Sequence, residues 1–241
     1  TNKEVDTSTL YTLLTNTGTG FPAGEYEFLS GGAANSENSK AYYHVYLDGS
    51  GSQTVSSGLN LSFANLNQTP FVHSTGTWNF GTSGIMNNPG NNNQSRGILD
   101  GDENWKNYDI TVSLYYTAPT SEKLKGGYAV FFRATGDSHS NLSAYAFKFD
   151  VVKENFAFSR FSGYSEEVIA SSEIPSNIIE SDGEHTIVIA ARGQNFTFYF
   201  NGNEVLKAND SSKSKLTNGR VGLRAWHNTS VIFKNVTVKP L

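Results

Sequence analysis

Three observations predict an all-β protein, folded as an antiparallel sandwich or barrel. Apolar and polar residues alternate with a period of two over many short segments, which is typical of half-buried strands. Clusters of Gly, Asn, Asp and Ser separate these segments at spacings of about 8–15 residues, as turns do in antiparallel sheets. Helical periodicity is confined to one short stretch near the start of the chain.

The first 70 residues contain that helical stretch and a few short strands. Leucines at i, i+3 and i+4 predict a helix over residues 6–16, formed around Leu10, Leu13 and Leu14. A Gly- and Pro-containing run at 17–22 ends it. Further strands are indicated at 26–28 and 41–47.

Beyond residue 70 the strand pattern becomes stronger. The segment 107–117 places five apolar residues on one face: Tyr108, Ile110, Val112, Leu114 and Tyr116. The same alternation predicts strands over 127–135, 143–152, 185–191, 196–200, 220–226 and 231–238. Asn201-Gly202 is a strong hairpin-turn signal. The segment 87–96 is of low complexity and indicates a long loop within one domain, with a linker as the alternative.

The composition excludes several classes of protein. Only 17% of the 241 residues are charged, whereas Asn, Ser, Thr and Gly together number 97 and Tyr and Phe number 28. So many aromatic residues exclude a disordered chain, and no apolar stretch approaches the ~18 residues of a membrane span. The net charge of −4 is spread without a Lys/Arg run, which argues against a nucleic-acid partner. The absence of cysteine excludes disulfides and thiolate sites.

Several strands and turns in the second part of the chain follow a familiar order. They include GYAVFFRA at 127–134, EHTIVI at 184–189, FTFYFNG at 196–202 and GRVGLRAW at 219–226. Their order and spacing over 70–241 resemble the concanavalin A-like lectin/glucanase superfamily, closest to its laminin-G-like, levan-binding-module and 3-keto-disaccharide-hydrolase branches. The resemblance implies an antiparallel two-sheet jelly-roll sandwich. Residues 1–69 lie outside it, as an N-terminal segment with the short helix and a few extra strands.

One acidic run has the spacing of a catalytic site. Laminarinase-like enzymes of this superfamily carry the pattern E-x-D-x-E, which Glu180, Asp182 and Glu184 match in spacing. Two Glu on one strand face would serve as nucleophile and general acid/base. Gly183 lies within the run, however, and the next strand is expected to begin only at His185. We therefore expect an acidic, solvated turn and no catalytic residues.

A second acidic run, at residues 100–104, has the chemistry of a calcium loop. It contains Asp100, Asp102, Glu103 and Asn104, whose oxygens suit a hard cation. Many laminin-G-like domains hold calcium at a rim loop, so the resemblance implies a candidate Ca²⁺ site here. The run lacks the Glu that ends an EF-hand loop, and we favour an acidic turn without a metal, with Ca²⁺ as the alternative and no cofactor required.

The outward faces of the later strands supply the best binding candidates. Alternation over 220–226 places Arg224 and Trp226 outward, and an outward Trp beside an Arg is unusual in a chain with three Trp. Aromatic faces stack on sugar C–H groups, and planar donors bind sugar hydroxyls. Arg133 is expected to point outward in the same way. For Arg224 and Trp226 the alternative is that the Trp packs under a loop and the Arg pairs with a carboxylate.

Two further residues, Tyr145 and Arg160, belong to the binding set. Arg160 follows the strand of Phe156 and Phe158, and Tyr145 has the parity of a core residue but a position that could bring its hydroxyl to the rim. The predicted ligand-binding residues are Arg133, Tyr145, Arg160, Arg224, Trp226 and Glu103.

The favoured function is noncatalytic glycan binding by a lectin-like module of a bacterial surface adhesin. The predicted domains are a pilin-like presenting segment at 1–69 and the lectin module at 70–241. The partners would be host glycans or polysaccharides, and other subunits of a surface assembly. We expect no nucleic-acid partner and no membrane span. Two alternatives remain open: a glycoside hydrolase of the same superfamily and a purely structural sandwich. The expected location is extracellular, on the bacterial cell surface.

Overall fold

The computed structural model describes most of the chain. Residues 58–64, 70–87, 94–121, 126–136, 138, 140–227 and 229–241 are described together with the strands at 24–30, 41–47 and 53–55. The predicted helix over 6–16 lies outside these residues.

Strands dominate the described residues. They are β1 (Gly24–Ser30), β2 (Ala41–Leu47), β3 (Gln53–Val55), β4 (Leu59–Ser62), β5 (Phe71–Thr75), β6 (Trp78–Gly81), β7 (Gly84–Asn87), β8 (Ser95–Leu99), β9 (Tyr108–Thr117), β10 (Gly127–Thr135), β11 (Ser143–Asp150), β12 (Asn155–Ser162), β13 (Ser165–Glu173), β14 (Gly183–Arg192), β15 (Asn195–Phe200), β16 (Asn203–Asn209), β17 (Arg220–Trp226) and β18 (Ser230–Pro240). Between β13 and β14 lies the short helix α1 (Ser176–Ile179). Across the described part of the chain, no helix has the length and apolar character that crossing a membrane requires.

The strands form two large antiparallel sheets and one small one. The seven-stranded sheet has the order β13-β12-β11-β10-β17-β8-β5, and the eight-stranded sheet runs β16-β15-β14-β9-β18-β7-β6 with β4 added on β18. β1, β2 and β3 form the small sheet. The predicted antiparallel two-sheet sandwich is therefore confirmed. β4 lies before the predicted boundary at residue 70 and pairs with β18, whereas the division into two domains stays a prediction.

The inner faces of the two large sheets form an aromatic core. On β9 the burial alternates as predicted, with the five apolar residues from Tyr108 to Tyr116 fully buried. Rings from opposite sheets stack directly: the centroids of Phe147 on β11 and Phe198 on β15 are 4.7 Å apart. Aromatic pairs of this kind contribute beyond the area they bury, so the core joins the sheets firmly.

The outer face of the seven-stranded sheet is also buried, unlike that of the eight-stranded sheet. Eight consecutive residues of β10, Gly127–Ala134, are buried, whereas every second residue of β9 is partly or fully exposed. A second apolar cluster lies on this outer face and includes Phe131, Phe161 and Trp226. A sheet buried on both faces carries no simple alternation of polar and apolar residues.

Three features differ from the sequence-based expectation. Ser95 and Arg96 lie in β8 and not in the loop predicted over 87–96. β13 escaped prediction because this edge strand is exposed along most of its length and has no apolar face. β14 begins at Gly183 and not at His185, because Gly183 already pairs with Tyr116 of β9.

Candidate functional site

A row of basic side chains crosses the outer face of the seven-stranded sheet. Arg96 on β8 pairs with Arg224 on β17, which pairs with Ala129 on β10, and Ala129 pairs with Lys148 on β11. Because side chains opposite one another in a sheet share a face, this register aligns the three basic residues. The small Ala129 leaves room between them. We call Arg96, Arg224 and Lys148 the basic row.

The two arginines of the basic row share one acceptor and one aromatic ring. Arg96 Nη2 and Arg224 Nη2 both donate to Gln94 Oε1, at 2.8 Å and 2.9 Å. Both guanidinium groups also lie over the ring of Phe161, at 5.5 Å and 5.0 Å from its centroid. The row therefore holds two like charges close together, each 6% exposed.

Lys148 differs from the arginines because it has carboxylate partners. Its Nζ forms an ion pair with Glu166, and a second with Asp150 at 3.7 Å. Glu166 also accepts from Ser159 Oγ at 2.9 Å and lies 4.0 Å from Arg224. Burial acts to raise the pKa of Glu166, but the hydrogen bond and charge of Lys148 outweigh it and hold that pKa below its usual range. Glu166 is therefore ionised at neutral pH.

Burial also changes the acidity of the arginines. It lowers the pKa of Arg96 to about 10. Burial, followed by repulsion from Arg96, lowers the pKa of Arg224 to about 10. Both side chains remain protonated at neutral pH, and the attraction of Glu166 offsets only part of the effect of burial on their pKa values.

Trp226 forms the aromatic wall beside the basic row. Arg224 lies over its indole at 4.7 Å from the ring centroid, and Lys148 lies at 6.0 Å. The indole rests on Gly127, where any Cβ would overlap its six-membered ring. Trp226 thus faces outward as predicted, but it is packed flat and only 6% exposed.

An open pocket adjoins Arg96 at the edge of this face. Its volume is about 290 Å³, and it lies between β5, β8 and the loop after β10. Its lining includes Thr75, Arg96, Ile98, Ser138 and Leu142. A pocket that combines apolar walls with a few polar groups is typical of small-molecule sites.

Arg133 does not lie on the outer face, so its predicted orientation is wrong. A β-bulge interrupts the pairing of β10 between Phe132 and Thr135, and Arg133 takes a left-handed φ of 50°. The bulge reverses the alternation. The guanidinium therefore lies at the rim between the sheets, where it donates to the carbonyls of Lys106 at 2.9 Å, Leu216 at 2.6 Å and Gly193.

Tyr145 and Arg160 meet at the same rim and not at the basic row. They pair across β11 and β12, and both contact Asp210: the Tyr145 hydroxyl donates at 2.6 Å and Arg160 Nη1 donates at 2.6 Å. The Tyr145 ring is fully buried, and its hydroxyl also accepts from the Leu216 amide. Arg160 further pairs with Glu167 at 2.5 Å. We call Arg133, Tyr145, Arg160 and Asp210 the rim cluster.

The predicted binding set is thus divided between two places. Arg224 and Trp226 lie on the outer face, and Arg133, Tyr145 and Arg160 lie in the rim cluster. Glu103 is exposed on a third surface, where it pairs with Arg220 at 3.4 Å. The assignment of these residues to ligand binding stays a prediction. Within the described ranges, no group of three His, Cys, Asp or Glu is arranged to hold a metal ion.

The acidic run around Asp182 is dispersed by the fold. Glu180 follows α1, Asp182 accepts from the Ala118 amide at 2.7 Å, and Glu184 is the second residue of β14 and pairs with Lys234. Since only Glu184 lies within a strand, the alternation that would align the carboxylates on one face is absent.

Sequence reasoning missed Arg96, Lys148 and Glu166. For Lys148 the alternation of the strand is a sufficient signal: it alternates with Tyr145, Phe147 and Phe149, which face the core, so it is expected to face outward. The low-complexity pattern over 87–96 predicts a loop at Arg96, which lies in β8, and Glu166 lies on the edge strand β13, which the pattern does not predict.

Comparison with known proteins places this fold among carbohydrate-associated domains. The sequence profile of the 3-keto-alpha-glucoside-1,2-lyase-like domain matches residues 72–239. Among solved structures, the carbohydrate binding module CBM66 from Bacillus subtilis is 22% identical, with a TM-score of 0.57, over 72% of this chain and 97% of that chain.

Two further structures share the architecture. A Bacillus subtilis protein of unknown function with a galectin-like fold is 13% identical (TM-score 0.55; 76% of this chain and 98% of that chain). The Ca²⁺/Man-bound exoplasmic/lumenal domain of VIP36 is 9% identical (TM-score 0.61; 76% and 89%). No curated protein matches the sequence. At these identities the likeness is one of fold, and it confirms the jelly-roll sandwich.

Proposed function

The chain belongs to the 3-keto-alpha-glucoside-1,2-lyase-like family. We propose that this member of the family binds carbohydrate without catalysing a reaction. The proposed site is the outer face of the seven-stranded sheet around Arg96, Arg224 and Trp226. One observation carries the proposal: this face brings two buried guanidinium groups, an indole and an open pocket together. The likeness to a carbohydrate binding module and to a mannose-bound lectin domain supports it.

The chemistry of the face suits a polar sugar ring. Guanidinium groups donate several hydrogen bonds in fixed directions, which matches the hydroxyls of a saccharide. The apolar lining of the pocket, from Ile98 and Leu142, offers contacts for sugar C–H groups. A pocket of this size accommodates one or two sugar rings, so the affinity per site would be modest, and display of several copies would strengthen attachment.

The state of the nearby carboxylates favours binding over catalysis. A general acid or base works best when its pKa lies near the working pH. Glu166 and Asp150 are both engaged by Lys148, and the pKa of Glu166 is held below its usual range. A permanently ionised, paired carboxylate is a poor proton donor.

The proposed setting is extracellular, as a glycan-binding module of a bacterial surface adhesin. The prevalence of Asn, Ser, Thr and Gly over ions, the absence of cysteine and the likeness to an exoplasmic/lumenal lectin domain support an exported location. The proposed partners are host glycans or polysaccharides, and other subunits of the assembly. Calcium remains a candidate ligand, on the chemistry of residues 100–104 and the Ca²⁺ named with the VIP36 domain.

A glycan array with and without EDTA tests the proposal. We expect binding to a restricted set of glycans, lost in Arg224→Ala and Trp226→Ala and retained in Lys207→Ala, whose side chain is exposed on the other sheet. Thermal unfolding would establish that each variant is folded. If the unmodified protein binds no glycan, the proposal is overturned. If EDTA abolishes glycan binding, calcium is required for it.

A second candidate function follows from the family description, which names a lyase. Glu166 would be the base, because it is the carboxylate closest to Arg224 on this face. Incubation with 3-keto-α-glucosides, followed by chromatography of the products, decides between the two. Cleavage that Glu166→Gln abolishes would establish the enzyme and refute the noncatalytic function.

A further inference from the structure

The pocket beside the basic row contains polar atoms that the fold leaves without partners. Arg96 is 6% exposed, and its Nε and Nη1 are buried without a hydrogen-bond partner. Thr75 pairs with Arg96 across β5 and β8, and its Oγ1 is also buried and without a partner. Both residues line the pocket. Since buried polar atoms are nearly always hydrogen-bonded, three such atoms beside one cavity point to a ligand that satisfies them.

The charges of this face do not balance. Within the described residues, the basic row carries three positive charges, and its carboxylate neighbours Asp150 and Glu166 carry two negative charges. Both carboxylates contact Lys148, and the described carboxylate within ion-pairing distance of Arg224 is Glu166, at 4.0 Å. Arg96 has no carboxylate within that distance in the same part of the chain. Among the described residues, the basic row thus carries one positive charge more than its carboxylate neighbours.

We propose that this pocket selects acidic saccharides by binding their single negative group, a carboxylate or a sulfate ester, against Arg96 and Arg224, with the Thr75 hydroxyl donating to the same group. This specificity rests on the proposed function of carbohydrate binding at the outer face. One bound negative charge neutralises the surplus and supplies acceptors for the unpartnered donors. Guanidinium groups bind oxyanions of this geometry better than they bind neutral hydroxyls.

The surplus of a single charge also predicts what the pocket disfavours. A neutral sugar would leave Arg96 uncompensated, whereas a phosphate monoester would bring close to two negative charges beside Glu166. We therefore expect carboxylated and sulfated sugars to bind more tightly than neutral or phosphorylated ones of the same ring.

An array of matched saccharides tests the specificity. Glucuronic, galacturonic and sialic acid glycans, sulfated and phosphorylated glycans and their uncharged counterparts would be compared, followed by titration of the strongest binder. We expect the acidic member of a pair to bind at least ~10-fold more tightly, and the preference to shrink as salt is added. Arg96→Gln should abolish the preference and Arg96→Lys should retain part of it. Arg192→Gln, on the other sheet, should leave it intact.

The outcomes separate the specificity from the function on which it rests. Equal or stronger binding of neutral glycans, or an acidic preference that survives Arg96→Gln, overturns the specificity and leaves carbohydrate binding standing. No binding to any glycan removes both. If Arg96→Gln does not fold, the salt dependence of the unmodified protein and Arg96→Lys decide. A salt-independent preference, or a preference unchanged in Arg96→Lys, would contradict the proposed contact.

Discussion

Arg133 and Arg96 are both buried on the seven-stranded sheet, but the fold treats them differently. In the rim cluster, Arg133 donates to three backbone carbonyls and lies over Phe196 at 5.0 Å. On the outer face, Arg96 has one side-chain acceptor and two buried nitrogens without a partner, whereas Arg133 has one such nitrogen, Nε. Burial alone therefore does not show whether the fold satisfies an arginine. The two residues differ in how many acceptors the fold provides.

The local backbone explains why the two arginines differ. The bulge in β10 and the left-handed φ of Arg133 direct its side chain toward loops from both sheets, whose carbonyls are available there. Arg96, on β8, remains in regular pairing with Arg224, beside a pocket. Strain at Arg133 is offset by the contacts that it allows, which is the usual reason for a non-glycine residue in this conformation.

The largest expected effect comes from exchanging each arginine for methionine. Arg133→Met removes three charge-assisted hydrogen bonds to partly buried carbonyls, so we expect it to lower the free energy of unfolding by about 3 kcal/mol. Arg96→Met removes a buried charge that has one side-chain hydrogen-bond acceptor, so we expect a change within about 1 kcal/mol, or a gain in stability. Urea denaturation measures both. Similar losses for the two variants would refute the distinction between them.

A pH titration contrasts the core with the outer face. The His185 ring is buried between the sheets, and its Nδ1 is hydrogen-bonded to the Tyr128 hydroxyl at 2.6 Å. Burial lowers the pKa of His185 from the ordinary 6.5 to about 4. The unfolded chain therefore binds this proton more readily. Stability is fully present above pH 6.5 and falls toward pH 4, by about 3 kcal/mol from this residue. Unfolding free energies across this range measure the loss.

A substitution at His185 assigns that acid dependence to its source. His185→Asn should flatten the dependence attributed to this residue between pH 6.5 and pH 4, even though it lowers the stability at neutral pH. An equally steep dependence in the variant would place its origin elsewhere.

Tyr145→Phe tests the rim cluster more gently. The variant loses the bond that the hydroxyl donates to Asp210 and the one that it accepts from Leu216, while the ring stays packed. We expect a loss of about 1–2 kcal/mol in the free energy of unfolding and unchanged saccharide binding. If a folded Tyr145→Phe protein no longer binds saccharide, Tyr145 is a ligand-binding residue, as the sequence predicts.

The smallest effect is expected at the dispersed acidic run. Glu184 pairs with Lys234 on the exposed face of the eight-stranded sheet, and such pairs contribute about 0–1 kcal/mol. Glu184→Gln should change stability by less than about 1 kcal/mol and leave any glycan-cleaving activity as it was. A clear drop in that activity would revive the catalytic assignment.

The elements that could be predicted are those with a simple period. β9, β14 and β15 each have one buried and one exposed face, so their alternation shows directly in the sequence. β13 could not be found in this way because it has no buried face. At β10 the bulge shifts the period by one residue, so alternation placed Arg133 on the wrong face.

The candidate site was half predictable for the same physical reason. Arg224 and Trp226 alternate with inward residues on one unbroken strand, so their outward direction could be read from β17 alone. Arg224 and Trp226 lie close to Arg96, Lys148 and Glu166 only because of the order of the strands in the sheet, in which β8, β17, β10, β11, β12 and β13 are successive neighbours. Strand order is set by long-range pairing, which no local pattern specifies.

The sequence by itself determined the all-β class, the inward faces of most strands and the neutral, hydrogen-bonding character of the surface, because these follow from local periodicity and composition. Only the tertiary structure decided which arginines meet acceptors. That outcome depends on a bulge, on a left-handed residue and on strands that lie far apart in the chain but adjacent in the sheet. The basic row exists because pairing across four strands aligns residues 96, 224 and 148, and its surplus charge appears only once their neighbours are known.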